Sequence, residues 1–88
     1  MVRGEANIKN KLGIHARPAA SIVKAAGKYK SAVMLEKDGI NANAKSIMDI
    51  LIVEADMGSK LTVVADGEDE NEALEAIVKL IESGFGEE

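Results

Sequence analysis

Gly13-Ile14-His15-Ala16-Arg17-Pro18-Ala19-Ala20-Ser21-Ile22-Val23-Lys24-Ala25-Ala26-Gly27 is the stretch on which the reading of this chain turns. Pro18 decides where a helix can start, because a proline lacks the N–H that a helix interior needs and is tolerated only in the first turn. The apolar positions Ala19, Ile22, Val23 and Ala26 then fall at i, i+3, i+4 and i+7, the stripe of an amphipathic helix, and Gly27 marks its end. The helix therefore begins at His15 or Ala16. His15 stands at its entrance, where unpaired backbone N–H groups and the positive end of the macrodipole attract anions.

Working outward, Val2, Gly4, Ala6 and Ile8 alternate with Arg3, Glu5, Asn7 and Lys9, which predicts a strand with one buried face. Downstream, Ser31, Val33 and Leu35 alternate until the turn pair Asp38-Gly39 reverses the chain into Ile40, Ala42 and Ala44, a β-hairpin. Ser46 with Asp49 three positions on resembles a capping box opening a short helix through Ile47, Met48, Ile50 and Leu51. Leu61, Val63 and Ala65 predict a last strand over Lys60 to Asp66, followed by the turn signal Asp66-Gly67. Asp69 with Glu72 forms a second cap pattern, and Ala73, Leu74, Ile77, Val78 and Ile81 give a helical stripe that stops near Gly84. The order is βαββαβα. It predicts an α+β fold in which helices cover one face of a four-stranded, mostly antiparallel sheet, with residues 1–88 forming one domain.

Composition removes several classes of function. With no Cys there is no disulfide framework and no thiolate nucleophile, and a single His leaves no metal-ligand cluster. The longest apolar stretch, Ile47 to Val53, is short and broken by Asp49, and the N-terminus lacks the apolar core of a signal peptide. A soluble, cytoplasmic protein without membrane insertion is the expectation. Residues 1–45 hold nine Lys/Arg against three Asp/Glu, whereas residues 46–88 hold two against twelve, so the net charge of -4 conceals a basic and an acidic half. Only 2% of residues are aromatic and the cations are scattered, which argues against nucleic acid and for an acidic protein partner or an anion near Arg17.

At the helix entrance His15 offers a ring nitrogen as nucleophile. Arg17 adds a planar fork of donors matched to phosphate oxygens, and Pro18 fixes the backbone that aims them. Nucleophile and anion cradle coincide. A phosphoryl group on nitrogen would be held there yet stay exposed enough to be passed on.

The segment Gly13-Ile14-His15-Ala16-Arg17-Pro18-Ala19 resembles the active-site signature of the histidine-containing phosphocarrier protein (HPr) family, and Lys45-Ser46-Ile47-Met48 resembles that family's second signature. The likeness extends through Ala65-Asp66-Gly67-Glu68-Asp69-Glu70 and the full length. It implies an open-faced β-sandwich and a monomeric carrier, not an enzyme, in the phosphoenolpyruvate-dependent phosphotransferase system, with no cofactor. His15 would be phosphorylated on Nδ1 by enzyme I and would pass the group to an enzyme IIA component for sugar uptake. Ala16 and Arg17 would bind the phosphate, with Arg17 assisting transfer. Ala20, Lys24, Ile47, Met48 and Leu51 would form the partner interface, with Lys24, Lys28 and Lys45 steering acidic partners. In relatives of Gram-positive type the residue matching Ser46 is a regulatory phosphorylation site for an HPr kinase, and the phospho-form binds a catabolite repressor. Here Ser46 also reads as a helix cap, and Asp49 stands where many members carry a small or basic residue and would repel a phosphate. Two other readings stay open: a regulatory carrier of the nitrogen-related branch, and a binding module that has kept the fold and lost transfer. The joint presence of His15, Arg17 and Pro18 speaks against the second.

Overall fold

The computed structural model describes residues 1–86. Strands β1 (Val2–Asn7), β2 (Ala32–Lys37), β3 (Ile40–Asn43) and β4 (Lys60–Asp66) are interleaved with helices α1 (Ala16–Ala26), α2 (Ile47–Ile52) and α3 (Glu70–Glu82) in the order βαββαβα, and a short 3₁₀ turn over Gly84–Gly86 follows. The sheet order is β1-β4-β2-β3 and every pairing is antiparallel. The sheet is therefore more regular than the mostly antiparallel one expected. The reason lies in the connections: α1 joins β1 to β2 and α2 joins β3 to β4, and neither pair are neighbours in the sheet.

Strand alternation decides which face is covered. Ala6, Val33, Leu35, Ala42, Leu61, Val63 and Ala65 are buried together with Ile22, Ile50, Ile77 and Ile81 from the helices. Each fully buried Leu or Ile contributes about 1.5–3 kcal/mol relative to exposure, so aliphatic side chains alone suffice for this core. The uncovered face carries Arg3, Glu5, Glu36, Lys60 and Thr62, with ion pairs Arg3–Glu36 and Glu5–Lys60. Such pairs in water add little stability.

The Asp38-Gly39 pair turns the hairpin in two residues, with φ of 51° and 81° and Lys37 opposite Ile40. Two successive positive φ values match the strand twist, and Asp-Gly tolerates them. Ile40, in alternation with the buried Ala42 and Ala44, is itself exposed. It begins an edge strand at the turn, beyond the reach of the helices.

The capping box expected at Asp69 does not form. Asp69 occupies the N-cap position of α3 without a capping hydrogen bond, and its carboxylate accepts instead from the backbone N–H groups of Lys30 and Ser31 and from the Ser31 hydroxyl. The segment entering β2 offers three donors in one place, which outcompetes a single helix N–H. Glu70 rather than Glu72 closes the turn, accepting from the N–H of Gly67. The Ser31 hydroxyl and the Lys30 and Ser31 N–H groups hold the Asp69 carboxyl down to about 2, below its ordinary 3.8. A carboxyl whose native value is depressed stabilises the fold above its unfolded value and loses that contribution as pH falls through the native one. Stability is expected to decline between about pH 4 and pH 2, and Asp69→Asn to flatten that part of the curve. Thermal melts of both proteins across this range check it; parallel slopes would assign the acid lability to other carboxylates such as Glu82, which accepts from the N–H of Asn7.

Candidate functional site

His15 is the N-cap of α1, in extended backbone geometry (φ -105°, ψ -163°), and its carbonyl accepts the N–H of Ala19 at 3.0 Å. The imidazole is half-buried and makes no capping hydrogen bond to its own helix, and the first turn carries no acidic residue. The N–H groups of Ala16 and Arg17 therefore lack the side-chain acceptor that Ser, Thr, Asp or Asn would supply, and Pro18 has no N–H to satisfy. Arg17 is exposed, and among the described residues no ion pair holds its guanidinium. Nucleophilic nitrogen, helix N–H groups and guanidinium fork are thus presented within three consecutive residues at an anion-attracting end.

The backbone leading into His15 is held from two sides. Asn10, buried in the loop that follows β1, donates from Nδ2 to the Gly13 carbonyl at 2.6 Å, while the Gly13 N–H returns to the Asn10 carbonyl at 3.2 Å. The Ile14 N–H donates to the Ala55 carbonyl at 2.9 Å. Gly13 adopts φ 67° and lies so close to the 55–56 backbone that a Cβ there would stand 2.3 Å from the Ala55 oxygen. Asn10, Gly13 and Ala55 were not among the site residues expected from sequence. The Asn-x-x-Gly spacing is a turn signal, but its coupling to Ala55 is a long-range contact that no local pattern carries.

Ala55 reaches this position through Glu54, which takes φ 54° immediately after α2. A left-handed residue after a helix end is normally glycine, and a side chain there costs about 1–2 kcal/mol. Glu54→Gly is expected to raise stability by about 1 kcal/mol, read as a higher melting temperature. A lower one would mean that the exposed glutamate makes a contact outweighing its backbone cost.

Helix α2 runs alongside α1 in the opposite sense. Its leading end is tied to the trailing end of α1, where Lys45 Nζ donates to the Tyr29 carbonyl at 2.9 Å, and its trailing end meets Ile14 through Ala55. Ala16, Ala20 and Lys24 form one exposed stripe of α1 at i+4 spacing, and Ile47 and Met48 are exposed on α2. Leu51, also expected at the interface, is half-buried and packs in part against the core. Lys24 lies about 13 Å further along α1 than His15 by helix rise. Lys28 and Lys45 sit at that same far end, and the Lys45 amine is occupied by the Tyr29 carbonyl, so these cations do not gather at His15. Exposed Leu12, Ile52 and Met57, by contrast, flank the end of α2 that meets the His15 loop. Sequence reasoning passed over them because exposure of an apolar side chain is not written in its periodicity.

Ser46 caps α2, its Oγ accepting the N–H of Asp49 at 3.3 Å. The expected reciprocal arm is redirected: the Asp49 carboxylate accepts from Asn43, and the Ser46 N–H goes to the Asn43 carbonyl. The loop folds back far enough to put the Asn43 donor nearer the carboxylate.

An all-antiparallel sheet under three helices, with His-x-Arg-Pro at the entrance of the first, is the arrangement expected of a phosphocarrier, a protein that bears a phosphoryl group between enzymes and is not itself an enzyme. The chain belongs to the HPr family of the phosphotransferase system, whose model, the PTS HPr component phosphorylation site, matches residues 2–83. It is 47% identical to phosphocarrier protein HPr of Treponema pallidum over the whole of both chains. It is 42% identical to phosphocarrier protein NPr of Proteus mirabilis (92% and 91% covered) and 43% identical to the HPr-like protein Crh of Bacillus subtilis (93% and 96% covered). The crystal structure of HPr-C-His from Thermoanaerobacter tengcongensis superposes with a TM-score of 0.94 at 49% identity, covering 100% and 99% of the two chains. A second structure of HPr from that organism is a dimer, with a TM-score of 0.79 at 48% identity and coverage of 99% and 100%. Among the described residues no helix is long and apolar enough to cross a membrane, and no group of side chains could hold a metal ion.

Proposed function

We propose that this protein carries a phosphoryl group on Nδ1 of His15, taken from enzyme I with phosphoenolpyruvate as the ultimate donor and delivered to an enzyme IIA component for sugar uptake in the cytoplasm. The observation that carries this reading is the entrance of α1, where His15 and exposed Arg17 share one helix N-terminus whose own first turn carries no acidic residue. The Nδ1 lone pair attacks phosphorus as the bond to the donor breaks. Arg17 and the first-turn N–H groups neutralise the phosphoryl oxygens, and reversal of the same displacement on a IIA acceptor discharges the carrier. The exposed stripe Ala16, Ala20 and Lys24 with Ile47 and Met48 meets both partners, and the protein acts as a monomer.

A second reading, a regulatory carrier of the nitrogen-related branch, is favoured by the likeness to NPr. Phospho-carrier prepared with enzyme I and offered in parallel to a sugar-type and a nitrogen-type IIA domain distinguishes them. Faster discharge to the sugar-type domain is expected, and preference for the other would replace the first reading by the second.

For Ser46 we place capping ahead of regulatory phosphorylation by an HPr kinase. Its hydroxyl is engaged with Asp49, whose carboxylate opposes a second negative charge within one turn. Treatment with ATP and an HPr kinase is expected to leave little acid-stable phosphate, and Asp49→Gly to increase it. Full labelling of the wild type would restore the regulatory role and its repressor partner.

A further inference from the structure

Among the described residues seven large apolar side chains are exposed, and five of them, Leu12, Ile47, Met48, Ile52 and Met57, belong to the His15 loop, to α2 and to the turn that follows α2. Two of the five are thioethers, Met48 at 73% and Met57 at 57% exposure. Met57 is held beside the site loop, since its neighbour Asp56 packs against Gly13 and its neighbour Gly58 donates to the Ile8 carbonyl. Met34 is half-buried in β2, opposite Asn43 and Val64. The chain has no cysteine, so no thiol intercepts an oxidant before the exposed methionines do.

We propose that Met48 and Met57 form a reversible oxidation site that lowers the docking competence of the carrier, an inference that rests on the phosphocarrier reading above. One molecule of hydrogen peroxide is consumed at each thioether: the sulfur loses two electrons and takes up one oxygen as a sulfoxide, the O–O bond breaks, and the other oxygen leaves as water. A dithiol reductant acting through a sulfoxide reductase reverses the step, releasing water and a disulfide. The sulfoxide puts a strong, chiral dipole where a flexible apolar side chain adapted to more than one partner, and in a complex that dipole is desolvated without a matched donor.

The test uses hydrogen peroxide on the whole protein, peptide mass mapping of each methionine, and the rate of phosphoryl transfer from phospho-enzyme I. Met1, 71% exposed at the start of β1 with its ammonium paired to Glu70 and Asp66, is the internal control. Sulfoxide at Met48 and Met57 is expected to slow transfer about tenfold, with recovery after sulfoxide reductase treatment. Met48→Leu/Met57→Leu, whatever its untreated rate, is expected to show no further slowing when peroxide oxidises Met1. Wild type bearing both sulfoxides and transferring at the untreated rate, or the double variant slowing as much as wild type, would overturn the proposal. Failure of the untreated protein to accept a phosphoryl group would instead count against the carrier reading itself.

Discussion

Replacing Gly13 with alanine is expected to destabilise the protein by about 3 kcal/mol and to slow phosphoryl uptake well beyond what that loss explains. Two costs add. Gly13 sits at φ 67°, where an L side chain costs about 1–2 kcal/mol. Its new Cβ would also stand 2.3 Å from the Ala55 carbonyl oxygen and 2.9 Å from the Asp56 Cα, both backbone atoms that cannot rotate away. The relief available is to part the 10–14 loop from the 55–56 segment, which breaks the Ile14 to Ala55 hydrogen bond and releases the backbone immediately before His15. Denaturant midpoints at unchanged slope measure the first effect, and transfer rates at a denaturant-free temperature where both proteins are folded measure the second. A variant of near-native stability would show that the loop yields easily, and the account of how His15 is positioned would fail with it.

Arg17→Ala is expected to lower the rate of phosphoryl transfer about a hundredfold while leaving the melting temperature nearly unchanged. The guanidinium is exposed and packs on nothing that the fold needs, so its removal leaves the core intact. What is lost is a charged donor fork at the place where negative charge gathers during displacement. Arg17→Lys should recover only part of the rate, because an ammonium supplies the charge but not the bidentate geometry. Single-turnover transfer from phospho-enzyme I reads this directly, and an alanine variant within twofold of wild type would remove Arg17 from the site.

The residues that made these features readable in the sequence are those whose reasons are local. Pro18 could occupy only a first turn, which fixed His15 at the helix entrance; Asp38-Gly39 could only be a tight reversal; and Leu61, Val63 and Ala65 alternate as a covered strand must. What stayed hidden depends on segments far apart in the chain. Asp69 abandons its own helix for the donors of Lys30 and Ser31, and Asp49 reaches to Asn43. Gly13 is required by Ala55, and the antiparallel course of α2 brings Ile52 and Met57 towards the His15 loop while leaving Lys45 at the opposite end. No propensity or period encodes such juxtapositions, because they arise only when the sheet order has been set.

In the proposed relay His15 itself bears the phosphoryl group. His15 makes no capping bond to its helix, so His15→Ala should fold. Incubation of both proteins with enzyme I and phosphoenolpyruvate, followed by intact-mass and peptide mapping at alkaline pH, is expected to show one phosphoryl group on the wild type, located on the His15 peptide, and none on the variant. A wild type left unmodified under conditions that label an established HPr, or a phosphoryl group found on any other residue, would contradict it.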